Sequence, residues 1–183
     1  TDPGIAPLDL TDISRKLNKT SQPPEFAWWE FNVDDVTAGR GRLLASILDA
    51  KDPNLSPYLR DKGGKLLMYH GWGDQNIPPR SSTNYYERVV TALGKEQVDD
   101  AVRLYMVPGM GHCSGGEGPD QFDMLTALEQ WREHGKAPIE VIASKITDGK
   151  VARTRPLCPY PQVGKYIGTG SIDLGQNFAC QMP

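Results

Sequence analysis

The chain has 183 residues, of which 38% are hydrophobic and 23% charged, a composition typical of a globular domain. Its formal net charge of −3 gives no basic field that would attract nucleic acid or an anionic membrane. No apolar stretch approaches the roughly 18 residues that a helix needs to span a bilayer. The sequence therefore predicts a folded protein with neither nucleic acid nor a membrane as a partner.

The first part of the chain shows little regular pattern. Residues 1–25 carry prolines with polar spacers, which indicates an irregular arm with at most one short helix near 9–17. Because Thr1 opens a polar segment that is unlike a signal peptide, we expect a mature or processed start. Residues 40–50 place aliphatic side chains at helical spacing, and 52–64 is rich in turn residues.

Two predicted strands with a helix between them follow. The apolar runs KLLMYH at 65–70 and VRLYMV at 102–107 predict strands that are buried on both faces. Between them, Ser81 or Ser82 can cap a helix that ends at Gly94. Strands of this kind need neighbours and covering helices on each side, which two strands cannot supply. We therefore expect the rest of the sheet on another segment, most simply the N-terminal portion of the same protein.

A further helix and a hairpin are predicted downstream. The segment 120–135 has Leu125 and Trp131 in amphipathic register and Gly135 at its end, which predicts a helix. Two segments rich in strand-forming residues then flank Thr147-Asp148-Gly149. An Asp-Gly pair between such segments is typical of a hairpin turn. The order of elements predicts an α/β protein.

The three cysteines fall into two groups. Cys158 and Cys180 flank a loop-rich segment with little apolar periodicity, and a disulfide there would stabilise it by about 3 kcal/mol. Cys113 is left over, which suggests either a partner on another chain or a free thiol. The sequons at Asn18 and Asn54, together with the disulfide, indicate an extracellular glycoprotein.

Asp74 and His112 each follow one of the two predicted strands, in a glycine-rich loop. Loops at the carboxyl ends of adjacent parallel strands meet at one crevice, so the two side chains can approach each other. An acid that orients a histidine is part of a serine-hydrolase relay. In α/β-hydrolases the serine precedes the acid, and this chain contains no G-x-S-x-G sequence. The pair therefore predicts a relay whose serine lies outside this chain.

Other residues near the pair are weaker candidates. His70 competes for the role of base, but its place at the end of a strand favours a supporting or core position. Trp72 lies in the acid loop and is a candidate substrate-binding residue. Zinc binding by His70, His112 and Cys113 lacks the usual ligand spacing, so no metal site is predicted. Ser114 has no nucleophile-elbow context, which favours a loop role.

Three stretches of the chain are distinctive as whole motifs. They are DPNLSPYLRDKGGKLLMYHGWGDQNIPP at 52–79, YMVPGMGHCSGGEGPDQFDML at 105–125 and RTRPLCPYP at 153–161. In them the chain resembles the C-terminal part of the tannase and feruloyl esterase family of α/β-hydrolases, including its mono(2-hydroxyethyl) terephthalate hydrolase branch. The most specific element is His112-Cys113, because this family has a cysteine directly after its catalytic histidine and another beside its serine.

The resemblance implies a fold and a role for several residues. The fold is the C-terminal portion of an α/β-hydrolase sheet with flanking helices, followed by a C-terminal hairpin and a disulfide-stapled loop segment. Residues 31–183 would belong to the catalytic domain, and 1–30 would be an arm that returns from a missing lid domain. Asp74 would be the triad acid, His112 the general base, and Cys113 would form a disulfide to the cysteine before the absent serine. The family's calcium ion belongs to the lid, so no cofactor is expected in this chain.

The function that the resemblance implies is that of a secreted serine carboxylesterase. It would hydrolyse esters of phenolic acids, namely feruloyl or galloyl esters. The N-terminal portion of the same precursor would be its disulfide-linked partner, and this chain alone would be inactive. One alternative is a noncatalytic secreted partner or binding module with hydrolase architecture, whose contact surface would include Trp28 and Trp29. A further alternative is an enzyme formed by this chain alone, with Ser114 as the nucleophile.

Overall fold

A computed structural model describes Asp34 and residues 45–183. The chain divides into two compact units, Thr1–Lys51 and Asp52–Pro183. In the first unit, residues 45–48 are helical, within the segment for which helical spacing predicts a helix. The chemistry predicted from the sequence falls in the second unit.

Some sequence predictions lie outside the described residues. These are the arm at 1–30 with its short helix, the sequon at Asn18, and the tryptophans Trp28 and Trp29. They stay predictions, as does the domain boundary between residues 30 and 31.

The second unit contains helices and three separate pairs of strands. In chain order its elements are α1 Ser56–Leu59, β1 Leu66–Gly71, α2 Arg80–Leu93, α3 Lys95–Ala101, β2 Val102–Val107, α4 Met124–His134, β3 Val141–Thr147, β4 Lys150–Leu157, β5 Val163–Tyr166 and β6 Phe178–Gln181. The pair β1–β2 is parallel, whereas β3–β4 and β5–β6 are antiparallel. The predicted α/β class is confirmed. Among the described helices, none is long and apolar enough to cross a bilayer.

Strand β2 forms the centre of the unit. Leu104 and Tyr105, which point to opposite faces, are both fully buried. Leu104 belongs to a cluster with side chains of α2 and α3, and Tyr105 belongs to a second cluster with side chains of α4, β3 and β4. The parallel sheet is therefore covered by helices on one face and by a helix and a hairpin on the other.

Strand β1 differs from its prediction. Its residues are mostly half-buried, and Tyr69 is 47% exposed. Within the described part of the chain, β1 pairs only with β2, in a register that places Leu66 opposite Val102 and Gly71 opposite Val107. The prediction of burial on both faces is thus right for β2 and wrong for β1, because the second edge of β1 has no neighbouring strand in this unit.

Helix α2 begins earlier than predicted. The backbone N–H groups of Ser81 and Ser82 donate to the carbonyls of Pro78 and Pro79, at 2.9 and 3.1 Å. Pro79 is the N-cap residue and no side chain caps the helix, so the prediction that Ser81 or Ser82 is the cap is wrong. The helix ends at Gly94 as predicted. The short helix α3, which follows directly, is absent from the sequence prediction.

Helix α4 begins later than predicted. Asp123 is its N-cap and accepts a hydrogen bond from the backbone N–H of Thr126 at 2.9 Å. Its apolar face includes Trp131, which is 3% exposed, but Leu125 is 67% exposed, contrary to the prediction. The helix ends at Gly135, which has a φ of 68°.

The C-terminal region, residues 141–183, consists of the two antiparallel pairs. The turn between β3 and β4 is Asp148-Gly149, with φ values of 50° and 71°, as the Asp-Gly signal predicts. The predicted disulfide Cys158–Cys180 is present, with its Cα atoms 5.5 Å apart. The segment between these cysteines is not only loop, because it contains β5, which pairs with the strand β6 that carries Cys180.

Candidate active site

The carboxyl ends of β1 and β2 carry two loops that contact each other closely. The N–H of Trp72 donates to the carbonyl of Val107, and the N–H of Gly73 donates to that of Met110, both at 2.9 Å. A Cβ atom on Gly71 would lie 2.3 Å from the carbonyl oxygen of Met110. Only glycine allows this approach of the two backbones. The glycines of the two motifs therefore bring the acid loop against the histidine loop.

Asp74 and His112 meet between these loops, 38 positions apart in the chain. The Nδ1 atom of His112 lies 2.8 Å from Oδ2 of Asp74. Because an ionised carboxylate only accepts hydrogen bonds, Nδ1 carries the hydrogen, and Nε2 of neutral His112 is left as an acceptor. The side chain of Asp74 is 3% exposed, whereas that of His112 is 43% exposed. His112 Nε2 can therefore accept a proton from a group that approaches its exposed side.

Hydrogen bonds surround the carboxylate of Asp74. Its Oδ1 atom accepts the backbone N–H groups of Asn76 and Ile77, at 2.8 and 3.0 Å. Burial raises the pKa of Asp74, but the hydrogen bonds from Ile77, His112, Asn76 and His70 outweigh it and hold that pKa well below its usual range. The carboxylate is therefore ionised at neutral pH and can stabilise a positively charged imidazole.

A second histidine contacts the same carboxylate oxygen. His70 Nε2 lies 2.9 Å from Oδ2 of Asp74, and His70 Nδ1 lies 2.7 Å from Oγ of Ser82. The side chain of His70 is 12% exposed. His70 is thus largely buried beside Asp74, whereas His112 is half-exposed. This agrees with the supporting position predicted for His70, whereas the contact with Ser82 was missed.

The loop that carries His112 is also fixed from strand β3. Asp120 accepts a hydrogen bond from the N–H of Gly115 at 2.7 Å, and Lys145 donates to the carbonyl of Gly116. The Lys145 ammonium also lies 3.7 Å from the Asp120 carboxylate. Burial raises the pKa of Asp120, but the Gly115 N–H and then Lys145 are among the groups that lower it overall.

A cavity of about 180 Å³ lies beside the pair. Its lining residues are Tyr69, His70, Gly71, Asp74, Ile77, Met110, His112 and Cys113. Trp72 is 45% exposed but does not line this cavity, so its predicted role in substrate binding stays a prediction. Sequence reasoning missed Tyr69 and Ile77, which are 47% and 48% exposed and present apolar surface to the cavity.

Two further residues near His112 were candidates for chemistry. Cys113 is a free and exposed thiol with a φ of 64°. In the described part of the chain no hydrogen bond joins the Ser114 hydroxyl to His112, and the Ser114 N–H donates to the His112 carbonyl at 2.8 Å. The described residues contain no group of three or more His, Cys, Asp or Glu side chains that could hold a metal ion.

Comparison with known proteins decides the family. The family model named tannase and feruloyl esterase matches residues 14–181. The chain belongs to this family. The mono(2-hydroxyethyl) terephthalate hydrolase of Piscinibacter sakaiensis is 39% identical over 185 aligned residues, which cover 97% of this chain and 29% of that protein. Feruloyl esterase B of Aspergillus niger is 33% identical over 150 residues, which cover 73% of this chain and 29% of that protein.

A solved structure shows the same fold. The crystal structure of an esterase from Aspergillus oryzae superposes with a TM-score of 0.79 at 30% sequence identity. The match covers 93% of this chain and 37% of the fungal one. The chain thus spans well under half the length of the relatives that it matches, and it has the architecture of one portion of a tannase-family esterase.

Proposed function

We propose that this chain supplies the acid and the base of a serine carboxylesterase, whose serine lies on a segment outside residues 1–183. The observation that carries the proposal is the hydrogen bond of 2.8 Å between His112 Nδ1 and Asp74 Oδ2. It leaves Nε2 as the acceptor of a half-exposed imidazole. The absence of a G-x-S-x-G sequence in the chain and its membership of the family support the same proposal.

The chemistry follows from the positions of the protons. His112 Nε2 takes the proton of the serine hydroxyl as the serine oxygen attacks the ester carbonyl, and Asp74 stabilises the resulting imidazolium. The imidazolium then gives that proton to the departing alcohol, which leaves an acyl-serine. Water attacks the acyl group while His112 again accepts a proton, and the serine recovers it as the carboxylic acid is released. The donors that stabilise the oxyanion come from the segment that carries the serine.

The proposed partner segment is the N-terminal portion of the same precursor. The exposed thiol of Cys113 lines the cavity beside His112, where a disulfide would tie the histidine loop to the serine loop. One edge of β1 pairs with no strand among the described residues and is suited to accept a further parallel strand from that portion. The disulfide Cys158–Cys180 favours an oxidising compartment, and Asn54 is exposed, as a glycosylated residue must be. We therefore propose that the protein is secreted.

We propose esters of aromatic acids as the substrates. Relatives of this chain are a feruloyl esterase and a mono(2-hydroxyethyl) terephthalate hydrolase. Tyr69, Ile77 and Met110 give the cavity an apolar wall beside the relay, which suits an aromatic acyl group. Feruloyl and galloyl esters remain equal candidates, and Trp72 would contact the substrate from the acid loop.

The experiment that tests the proposal uses the full-length protein. We expect Asp74→Asn or His112→Ala to lower kcat on methyl ferulate or methyl gallate by about 10⁴-fold, as for other triads. Asp148→Asn and His134→Ala change the same residue types at exposed positions and should leave turnover unchanged. If the relay variants keep turnover within about tenfold of the parent, the proposal is wrong. A parent that binds such esters without turning them over would favour a noncatalytic module.

A further inference from the structure

The carboxylate of Asp74 serves two histidines through a single oxygen atom. Oδ2 lies 2.8 Å from Nδ1 of His112 and 2.9 Å from Nε2 of His70. The two rings differ in exposure, since the side chain of His112 is 43% exposed and that of His70 only 12% exposed. A substrate can therefore reach the first histidine, while the second is largely buried beside the carboxylate.

The hydrogen positions on His70 follow from its two partners. The carboxylate of Asp74 can only accept, so Nε2 of His70 carries a hydrogen and donates it. In the neutral ring Nδ1 is then an acceptor, and the Ser82 hydroxyl donates to it across 2.7 Å. The three side chains therefore form a series of hydrogen bonds, in which Ser82 donates to His70 and His70 donates to Asp74.

The position of Ser82 is set by helix α2. Its backbone N–H donates to the carbonyl of Pro79, in the first turn of the helix. Two residues of the same helix, Tyr86 and Val89, are 7% and 1% exposed and belong to the core. A helix that the core holds in place therefore presents the hydroxyl to Nδ1 of His70, the ring nitrogen that does not contact Asp74.

We propose that His70 is a positioning residue for the acid, and that the Ser82 hydroxyl keeps His70 in the tautomer that donates to Asp74. The inference rests on the proposed function, because it needs Asp74 to act on His112. Without His70, Oδ2 loses one of its two side-chain donors, so His112 alone holds that oxygen, while Oδ1 keeps the N–H groups of Asn76 and Ile77. His112 would then be oriented less well, and it would be the one remaining side chain that donates to the negatively charged Oδ2.

Two consequences separate this role from simple packing. A less well oriented acid lowers kcat and leaves the binding of substrate unchanged. An unshared carboxylate stabilises the His112 imidazolium more strongly, so more alkaline conditions are needed to free the base. Asp74 is the titratable group in contact with His70, and Tyr69, His112 and Cys113 line the same cavity.

The test compares His70→Gln with His70→Leu in the full-length protein. Glutamine keeps an N–H near the place of Nε2, whereas leucine has a similar volume and no donor. We expect His70→Leu to lower kcat by about 10- to 100-fold, which matches the loss of a hydrogen bond to a charged group. We also expect KM to stay within about threefold and the acid limb of the kcat/KM profile to move to higher pH. His70→Gln should restore most of kcat and return the acid limb towards its original position.

A second pair of variants tests the role of the serine. Ser82→Ala should lower kcat by about 3- to 10-fold, because it removes a hydrogen bond between neutral groups. Ser81→Ala is the matched control, since Ser81 is exposed and next to it in the same helix turn. Nitrogen chemical shifts of the two histidines should show hydrogen on Nε2 of His70 and on Nδ1 of His112 in neutral solution.

The inference is overturned if His70→Leu keeps kcat within about threefold of the parent, since an oriented donor is worth more than that. It is also overturned if glutamine does no better than leucine and the pH profile stays in place, which would show a packing role. The proposed function fails separately, through Asp74→Asn and His112→Ala. If those two variants lower kcat by about 10⁴-fold and His70→Leu keeps kcat within about threefold of the parent, only the role of His70 is wrong.

Discussion

Different interactions hold two regions in place: the C-terminal region and the two loops that carry Asp74 and His112, which we call the relay loops after their proposed role. In the relay loops, polar groups hold the buried Asp74 in place, whereas the side chain of His112 and the free thiol of Cys113 are exposed. In the C-terminal region, the disulfide Cys158–Cys180 closes a segment on itself, with β5 paired to β6. From this difference we infer that the C-terminal disulfide contributes mainly to stability, and that the contacts around Asp74 and His112 contribute mainly to chemistry. We expect changes in the C-terminal region to alter unfolding, and changes in the relay loops to alter turnover.

The largest predicted effect beyond the relay residues themselves is that of Gly71→Ala. The new Cβ would lie 2.3 Å from the carbonyl oxygen of Met110, so the acid loop and the histidine loop must move apart. A displacement of about 1 Å between catalytic groups can cost roughly 100-fold, and we expect ester turnover by the full-length protein to fall at least that much. Gly164→Ala is the control, because its Cβ would meet a proline side-chain atom at 3.3 Å in the C-terminal region. Equal turnover losses in the two variants would contradict the separation.

Removal of the C-terminal disulfide should affect stability alone. The two cysteines are 22 positions apart, and a loop of that size contributes about 3 kcal/mol to the free energy of unfolding. We expect Cys158→Ser with Cys180→Ser to lower that free energy by this amount in a denaturant titration. At temperatures at which the variant is folded, kcat should equal that of the parent. A loss of kcat in fully folded protein would show that the C-terminal region takes part in the chemistry.

The smallest predicted effect is a dependence of stability on acid pH that comes from Asp74. The folded-state pKa of Asp74 lies below the value of 3.8 that the free side chain has. The ionised carboxylate therefore contributes stability that is fully present above about pH 5 and is lost as the pH falls towards the folded-state value. We expect the stability difference between the parent and Asp74→Asn to shrink as the pH is lowered through this range.

The disulfide variant is the control for that measurement, because a disulfide does not titrate. Its stability difference from the parent should be the same at each pH. A difference between the parent and Asp74→Asn that grows as the pH falls would show that the acid is not held in its ionised form.

The contact between Asp74 and His112 could be predicted because its signals are local. An apolar run gives β2 its bounds at Val102–Val107, and glycines after each strand mark the loops in which the two residues lie. The Asp148-Gly149 turn and the disulfide were predictable for the same reason, since a dipeptide and a pair of cysteines carry the information.

Other features depend on contacts that no local pattern contains. The exposure of β1 depends on a neighbouring strand that this unit lacks, so the apolar run predicted more burial than the strand has. The contact of Ser82 with His70 depends on the start of α2, whose N-cap Pro79 lies two or three residues earlier than the predicted cap. The pairing of β5 with β6 could not be predicted from alternating apolar and polar residues, because all the residues of β5 are exposed.

One measurement tests most directly that Asp74 and His112 serve a serine elsewhere. The full-length protein is treated with a fluorophosphonate, which reacts covalently with an activated serine, and the labelled peptide is identified by mass spectrometry. We predict a single adduct on a serine outside residues 1–183, and no adduct in the His112→Ala variant. An adduct on Ser81, Ser82 or Ser114, or labelling that His112→Ala leaves intact, would contradict the account.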